Sequence, residues 1–139
     1  MKHLDPRYLL LLAALSGCAS PAYQHHDAAA SALLNLDGRD KNWICVDDIP
    51  KRLYPDAAGY ARIPAGERLT FWTYLSERRG HCNAHVSFVP TAGMKYQIAV
   101  DVTDNRCAMT LVKEDRATRL GVSQEHSADY GPTRCQKQE

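Results

Sequence analysis

The chain has 139 residues, 45% of them hydrophobic and 24% charged, an ordinary globular composition with room for one compact domain and none of the bias of a collagen-like, coiled-coil or disordered chain. Lysine and arginine number 17 against 16 acids, and loss of the leader described next would remove Lys2, Arg7 and Asp5, leaving the two signs equal; no basic field is present to hold nucleic acid or an anionic bilayer by charge alone. The only long apolar run covers residues 8–15, well short of the ~20 residues a spanning helix needs, which excludes a bundle of membrane helices.

Residues 1–17 have the tripartite layout of an export signal: a basic region with Lys2, His3 and Arg7, the apolar stretch Leu9-Leu10-Leu11-Leu12-Ala13-Ala14, then small residues. Asp5 is the one departure from that pattern. The stretch ends in Leu15-Ser16-Gly17-Cys18, which resembles the lipobox of bacterial lipoproteins. The resemblance implies cleavage before Cys18 and a thioether from its sulfur to diacylglycerol, an anchor in which each buried CH₂ adds about 0.8 kcal/mol of membrane affinity. Ala19 behind the cysteine, rather than aspartate, implies by the same resemblance delivery to the outer membrane, facing the periplasm.

A lipid-anchored tether is expected over residues 18–41 and the folded domain over 42–139. Within the tether, Asp27 can cap a short Ala/Leu helix over residues 28–36 that stops at Asp37-Gly38. Leu33, Leu34 and Leu36 would then either dock on the domain or sit in a loose spacer. Beyond it the period changes to two. Residues 43–47 give an early strand carrying Cys45, and Asp47 and Asp48 alternate at its end, pointing to opposite sides, a poor arrangement for a paired general acid and base.

Residues 59–63 and 69–75 read as further strands, joined through Pro64-Ala65-Gly66. The second, Leu69-Thr70-Phe71-Trp72-Thr73-Tyr74-Leu75, has large groups on both faces. If Leu69, Phe71 and Leu75 are inside, Trp72 and Tyr74 lie outside, where aromatic anchors are typical of binding hot spots. A central strand covered on both sides, by the N-terminal helix or the C-terminal tail, fits the same residues. The loop that follows, Ser76-Glu77-Arg78-Arg79-Gly80, is charged, and Arg78 and Arg79 join Trp72 and Tyr74 as candidate partner contacts.

Residues 81–88 alternate, with Cys82, Ala84, Val86 and Phe88 inward and His81, Asn83, His85 and Ser87 outward. After the corner Pro90-Thr91-Ala92-Gly93, Tyr96, Ile98, Val100 and Val102 share one face of a strand, and Cys107, Met109 and Leu111 share one face of the next. With Asp104-Asn105 as a two-residue hairpin loop, the register pairs Val102 with Cys107, Val100 with Met109 and Ile98 with Leu111, all apolar on one face; a slip of one residue would destroy that agreement. The polar stretch 114–130 has one apolar pair, Leu120 and Val122, that could add a last strand. Short strands with frequent turns indicate an all-β fold, a small antiparallel β-sandwich.

Setting Cys18 aside leaves Cys45, Cys82, Cys107 and Cys135, an even count that in an oxidising compartment implies two disulfides. Three pairings are possible. Cys82 and Cys107 both face the core and are the preferred pair, which leaves Cys45 to hold Cys135.

The pattern Ile-Pro-Ala-Gly-Glu-Arg-Leu-Thr, then Cys, then Ser-Phe-Val-Pro-x-x-Gly-x-x-Tyr, then Cys, running from Ile63 to Cys107, resembles small proteobacterial lipoproteins with a β-sandwich domain. The resemblance implies a fold and an address and transfers no catalytic residue. His81 and His85 bracket Cys82, but four strand positions separate backbones by ~13 Å, too far for two nitrogens to share one zinc. His25-His26 could chelate weakly, as any adjacent pair can, and residues 101–105 offer oxygen ligands without the glycine and closing glutamate of a calcium loop. No nucleophile elbow, phosphate-cradling loop or His-Glu-x-x-His helix occurs. The expectation is a lipoprotein without enzymatic activity, cofactor, metal or nucleic-acid partner. It is held to the membrane by the lipid on Cys18 and binds a protein or envelope component. The alternative is an inhibitor or immunity lipoprotein that inserts the loop at 76–80 into an envelope-attacking enzyme.

Overall fold

Two β-sheets face each other in the computed structural model of the chain, which describes residues 20–26, 29–36, 39, 41–77, 80–103, 106–131 and 135. The strands in chain order are β1 (Ser31–Asn35), β2 (Lys41–Val46), β3 (Ile49–Leu53), β4 (Tyr60–Pro64), β5 (Leu69–Glu77), β6 (Gly80–Phe88), β7 (Lys95–Thr103), β8 (Arg106–Glu114) and β9 (Val122–Gln124). One sheet has five strands in the order β4-β1-β7-β8-β9, the other four in the order β3-β2-β5-β6. Their inner faces meet in a core that includes Leu34, Ile44, Phe71, Phe88, Tyr96 and Leu111, each with no exposed surface. The all-β sandwich is as expected, with one difference in strand direction. β1 and β7 run parallel, Leu33 beside Lys95 and Leu34 beside Tyr96, which is possible because the chain visits the other sheet between them.

The helix expected over residues 28–36 does not form. Its Leu-rich half is β1, with Ala32, Leu34 and Leu36 buried and Leu33 half-buried, an alternation of two rather than a helical stripe. A helix that short is marginal in water. As a strand the same residues exchange hydrogen bonds with β4 on one side and β7 on the other, and the sandwich therefore begins upstream of residue 42. Asp27, the expected cap, lies outside the described residues.

The remaining expected strands are present as β2, β4, β5, β6, β7, β8 and β9. The corner at Pro64-Ala65-Gly66 carries the chain from the five-stranded sheet to the four-stranded one, and that at 90–93 carries it back. The two corners are tied together: Gly66 donates its N–H to the Pro90 carbonyl at 2.8 Å, with φ of 94° that a side chain would resist. Buried Tyr96 accepts a 2.9 Å bond from the Thr91 N–H on its hydroxyl, the corner device of many Greek-key sandwiches. In the β7–β8 hairpin Val102 faces Cys107, Val100 faces Met109 and Ile98 faces Leu111, the register read from the apolar alternation. Its loop residues Asp104 and Asn105 lie outside the described residues.

β3 was not expected. Pro50 and the basic Lys51 and Arg52 hide its apolar alternation, and Pro50 is tolerated because β3 is a sheet edge. Asp47 and Asp48, expected to alternate at a strand end, instead form the tight turn between β2 and β3, where Val46 faces Ile49 and both aspartates have positive φ, 54° and 58°. That is the geometry of a two-residue turn of the primed type.

Both edges of the four-stranded sheet are covered. At β3, Arg52 donates its N–H to the Pro21 carbonyl and accepts from the Tyr23 N–H. At β6, Ser87 and Asp129 exchange N–H···O=C bonds of 2.8 and 2.7 Å. The segment 125–131 bridges the two sheets, since Leu111 of β8 accepts from the Glu125 N–H and donates to the Tyr130 hydroxyl. Two disulfides complete this closure. Cys82–Cys107 joins β6 to β8 across the sandwich with Cα atoms 6.0 Å apart, and Cys45–Cys135 fixes the chain beyond this strap to β2 with Cα atoms 5.7 Å apart. The loops they close, of 25 and 90 residues, correspond to about 3 to 5 kcal/mol each in the chain-entropy account, a large share of a small domain's stability.

Two predictions follow from local chemistry. Replacing Asp48→Gly creates the Asp-Gly pair that this turn favours and relieves one left-handed side chain, so stability is expected to rise by about 0.5–1 kcal/mol in denaturant unfolding. A loss would show that the Asp48 carboxylate makes a contact worth more than the strain.

The second concerns Glu125, buried in the strap. Burial pushes its carboxyl up, but the Ser127 N–H and hydroxyl, both bonded to Oε1, and the Lys113 ammonium 3.3 Å from Oε2 together hold it below the ordinary carboxylate range. A depressed carboxyl adds stability above its unfolded pKa of about 4.3 and loses it as pH falls through the folded value. Glu125→Gln should therefore cost about 1–3 kcal/mol at pH 7 and much less near pH 3. Equal costs at both pH values in chemical denaturation would reject an ionised role.

Candidate functional site

The pleat of the four-stranded sheet decides which side chains reach solvent. On β2, Asn42 and Ile44 are fully buried, which turns Lys41, Trp43 and Cys45 outward. On β5, Leu69, Phe71 and Thr73 are buried and Trp72 and Tyr74 are half-buried on the outside. This settles the sidedness of β5: Leu69 and Phe71 are inside as expected, and Trp72 and Tyr74 are outside. Among the described residues, the C-terminal segment reaches this sheet through the Ser87–Asp129 pairing and the disulfide at Cys45.

Register then assembles the outward residues into rows across the sheet. Trp43 stands opposite Arg52 on one side and Trp72 on the other, and Trp72 stands opposite His85. The next row holds Lys41, Tyr74 and Asn83. The indoles of Trp43 and Trp72 are parallel to within 9° with centroids 6.1 Å apart. The Arg52 guanidinium lies over the Trp43 ring at 4.5 Å and near the Tyr54 ring at 5.7 Å, and the Lys41 ammonium lies over Tyr74 at 4.9 Å. His81 tilts against Tyr74 with centroids 6.4 Å apart. Each such contact contributes about 0.5–1.5 kcal/mol and holds its side chain in place.

The inner face at the same register is polar. Asn42 and Thr73 face each other with no exposed surface; Asn42 donates to the Arg39 carbonyl at 2.8 Å and Thr73 to the Lys41 carbonyl at 3.1 Å, while Asn42 Oδ1 has no hydrogen-bond partner. Here the sheet carries its aromatics outside and its small polar groups inside, the reverse of the usual sidedness.

Of the residues singled out in the sequence, Trp72 and Tyr74 are brought together on this face, and the four cysteines are paired in the two disulfides. Cys18, Arg78 and Arg79 lie outside the described residues. His81 and His85 sit on the same outer face, one exposed and one half-buried. Among the described residues no three or more His, Cys, Asp or Glu side chains are grouped to hold a metal ion. An open cleft of about 500 Å³ beside the corner at 64–69 includes Asp47, Glu67 and Arg68 in its lining.

Trp43, Arg52 and Lys41 were missed as site residues. The alternation of Asn42 and Ile44 against Trp43 and Cys45 carries the signal for Trp43, but an asparagine on the inner side argues against choosing that face. Arg52 required knowledge of β3. Compared with family models, characterised proteins and solved structures, the chain matches none.

The stacked pair yields a direct test. In a cycle of Trp43→Ala, Trp72→Ala and the double variant, the coupling in unfolding free energy should be about 0.5–1.5 kcal/mol. Strict additivity would mean that the two rings stand side by side without interacting.

Proposed function

We propose that the protein is a lipoprotein anchored in the outer membrane through Cys18 and facing the periplasm. Its β-sandwich acts there as a non-catalytic binding module, with the outer face of the four-stranded sheet as its contact surface. The observation that carries this reading is the reversed sidedness at Trp43, Trp72 and Tyr74 against Asn42 and Thr73. A half-buried aromatic cluster ordered by its own cations is the composition of a binding hot spot, where Trp, Tyr and Arg dominate. The lipobox resemblance of Leu15-Ser16-Gly17-Cys18 supports the address, and two disulfides in one small domain accord with an oxidising compartment. No catalytic role is assigned to any residue of the face.

Address and binding separate experimentally. Cys18→Ser is expected to abolish acylation and leave an unprocessed precursor in whole cells; continued incorporation of labelled fatty acid would refute the anchor. Crosslinking in intact envelopes should yield adducts at the face for the wild-type protein and at least ten-fold fewer for Trp72→Ala, with the variant's melting curve still cooperative. Adducts that persist in Trp72→Ala and map instead to the tip of the β5–β6 hairpin would favour the inhibitor reading over this one.

A further inference from the structure

The edges of the two sheets are protected unequally. β3 is covered by the chain at 21–23 and carries Pro50. On β4 the Asp56 carboxylate accepts the Tyr60 N–H, the Asp56 N–H is donated to the Tyr60 carbonyl, and the strand ends at Pro64, which has no N–H to offer. β9 is only three residues long. Such devices keep a sheet edge from pairing with another chain. β6 has one at a single end, where Ser87 exchanges both of its backbone hydrogen bonds with Asp129 on the side away from β5. By the alternation of an antiparallel strand, the N–H and C=O groups of His85, Asn83 and His81 point to that same side. Among the described residues no group bonds to them there. Nor does β6 (Gly80–Phe88) hold any Lys, Arg, Asp or Glu, in a chain that is 24% charged, so no fixed charge on the strand repels a copy of itself or draws a charged foreign strand.

The sequence of the open stretch selects its occupant. Asp129 bounds it at Ser87 and the hairpin turn bounds it at Gly80, where φ is 134°, so Asn83 is the middle of its three outward residues. His81-Cys82-Asn83-Ala84-His85 reads nearly the same in both directions about that centre. Antiparallel pairing of two such strands on Asn83 sets Asn83 against Asn83, His81 against His85 and Cys82 against the small Ala84. Every outward N–H then meets a carbonyl, two bonds forming between the asparagine backbones and two in each His81–His85 pair. The contact is self-complementary and closes with two copies.

We infer that the protein pairs with a second copy of itself through the edge of β6, joining two four-stranded sheets into one of eight strands. The two-fold axis stands normal to the sheet, so the outer faces of both copies look the same way. The row Lys41–Tyr74–Asn83 of one copy continues into Asn83, Tyr74 and Lys41 of the other, and the two aromatic clusters become one surface. The pairing depends neither on the anchor at Cys18 nor on what the outer face contacts.

Sedimentation of the purified full-length protein should show a monomer–dimer equilibrium, with the dimer growing between about 1 and 100 µM. Asn83→Pro removes an N–H that faces away from β5, which an edge tolerates, and Asn83→Lys sets two like charges against each other. Each should lower the association constant about ten-fold or more while the melting curve stays in place. Leu120→Lys, in a turn at a residue 81% exposed, should change neither. Hydrogen exchange should find the His81, Asn83 and His85 amides protected in the wild-type dimer and exchanging freely in Asn83→Lys, whose test does not depend on the proline variant folding. A protein that stays monomeric across that range, or a dimer indifferent to both substitutions at Asn83, overturns the inference. Association lost in Trp72→Ala but kept in Asn83→Lys also overturns it and moves the contact to the aromatic face. Amides at 81, 83 and 85 that are protected only in intact envelopes, with the purified protein monomeric, assign the edge to a foreign strand instead of a second copy.

Discussion

The pleat of β5 is the constraint on which the rest depends. This strand is paired along its length with β6 and through five residues with β2, so it cannot slide by one position without breaking both ladders. A slip would bring Trp72 and Tyr74 into the space that Phe71 and Thr73 now fill and expel Phe71, whose ring has no exposed surface. Burial of Leu69 and Phe71 thus determines that two large aromatics face solvent. The arrangement of the outer face is a by-product of the core, and its order comes from β2 and β3, which bring Trp43 and Arg52 into the same row.

Ladder hydrogen bonds organise each sheet internally but are not what attaches one sheet to the other. That attachment depends on apolar packing, on the corners tied by Gly66 and Pro90, and on the covalent link between β6 and β8. The strap at 125–131 adds a polar seam along the same side, in which Arg68 donates to the Ser87 and Ser127 carbonyls and the Ser127 hydroxyl accepts from the Val89 N–H. Cys135 then fixes the chain beyond the strap to the outer side of β2. The two bonds have different mechanical roles: one clamps sheet to sheet, the other ties Cys135 to β2. The Cys45 bond also limits the aromatic face, since it lies one outward position beyond Trp43 on the same strand.

Much of this was legible in the sequence wherever one face of a strand is uniformly apolar. The β7–β8 register and the alternation of β6 follow from that rule, and the disulfide pairing follows from the inward orientation of Cys82 and Cys107. The rule failed where composition and environment disagree. Ala32, Leu33 and Leu34 have good helix propensity, and only the β-partners on both sides, invisible in one sequence, make a strand of them. Pro50, Lys51 and Arg52 concealed an edge strand for the converse reason, since an edge needs fewer buried positions and tolerates a missing N–H. Two residues of the candidate site were readable, Trp72 and Tyr74, because they share a strand with its core residues. Trp43 and Arg52 reach them only through strand order.

Stability alone does not account for the aromatic face. A stacked Trp pair adds about 0.5–1.5 kcal/mol, which β-branched cross-strand pairs could largely supply. On the inner side of the same strands, Asn42 leaves a fully buried carbonyl oxygen unbonded, a loss of about 1–3 kcal/mol that a valine there would not incur. A sheet optimised for folding would place its rings where Asn42 and Thr73 are and its small polar groups outside. Keeping the opposite arrangement lowers stability or at best leaves it unchanged, a departure from local consistency that the proposed contact surface would explain. The cost is affordable here because the disulfides supply stability from elsewhere, so a small domain with a modest core can keep tryptophans on its surface.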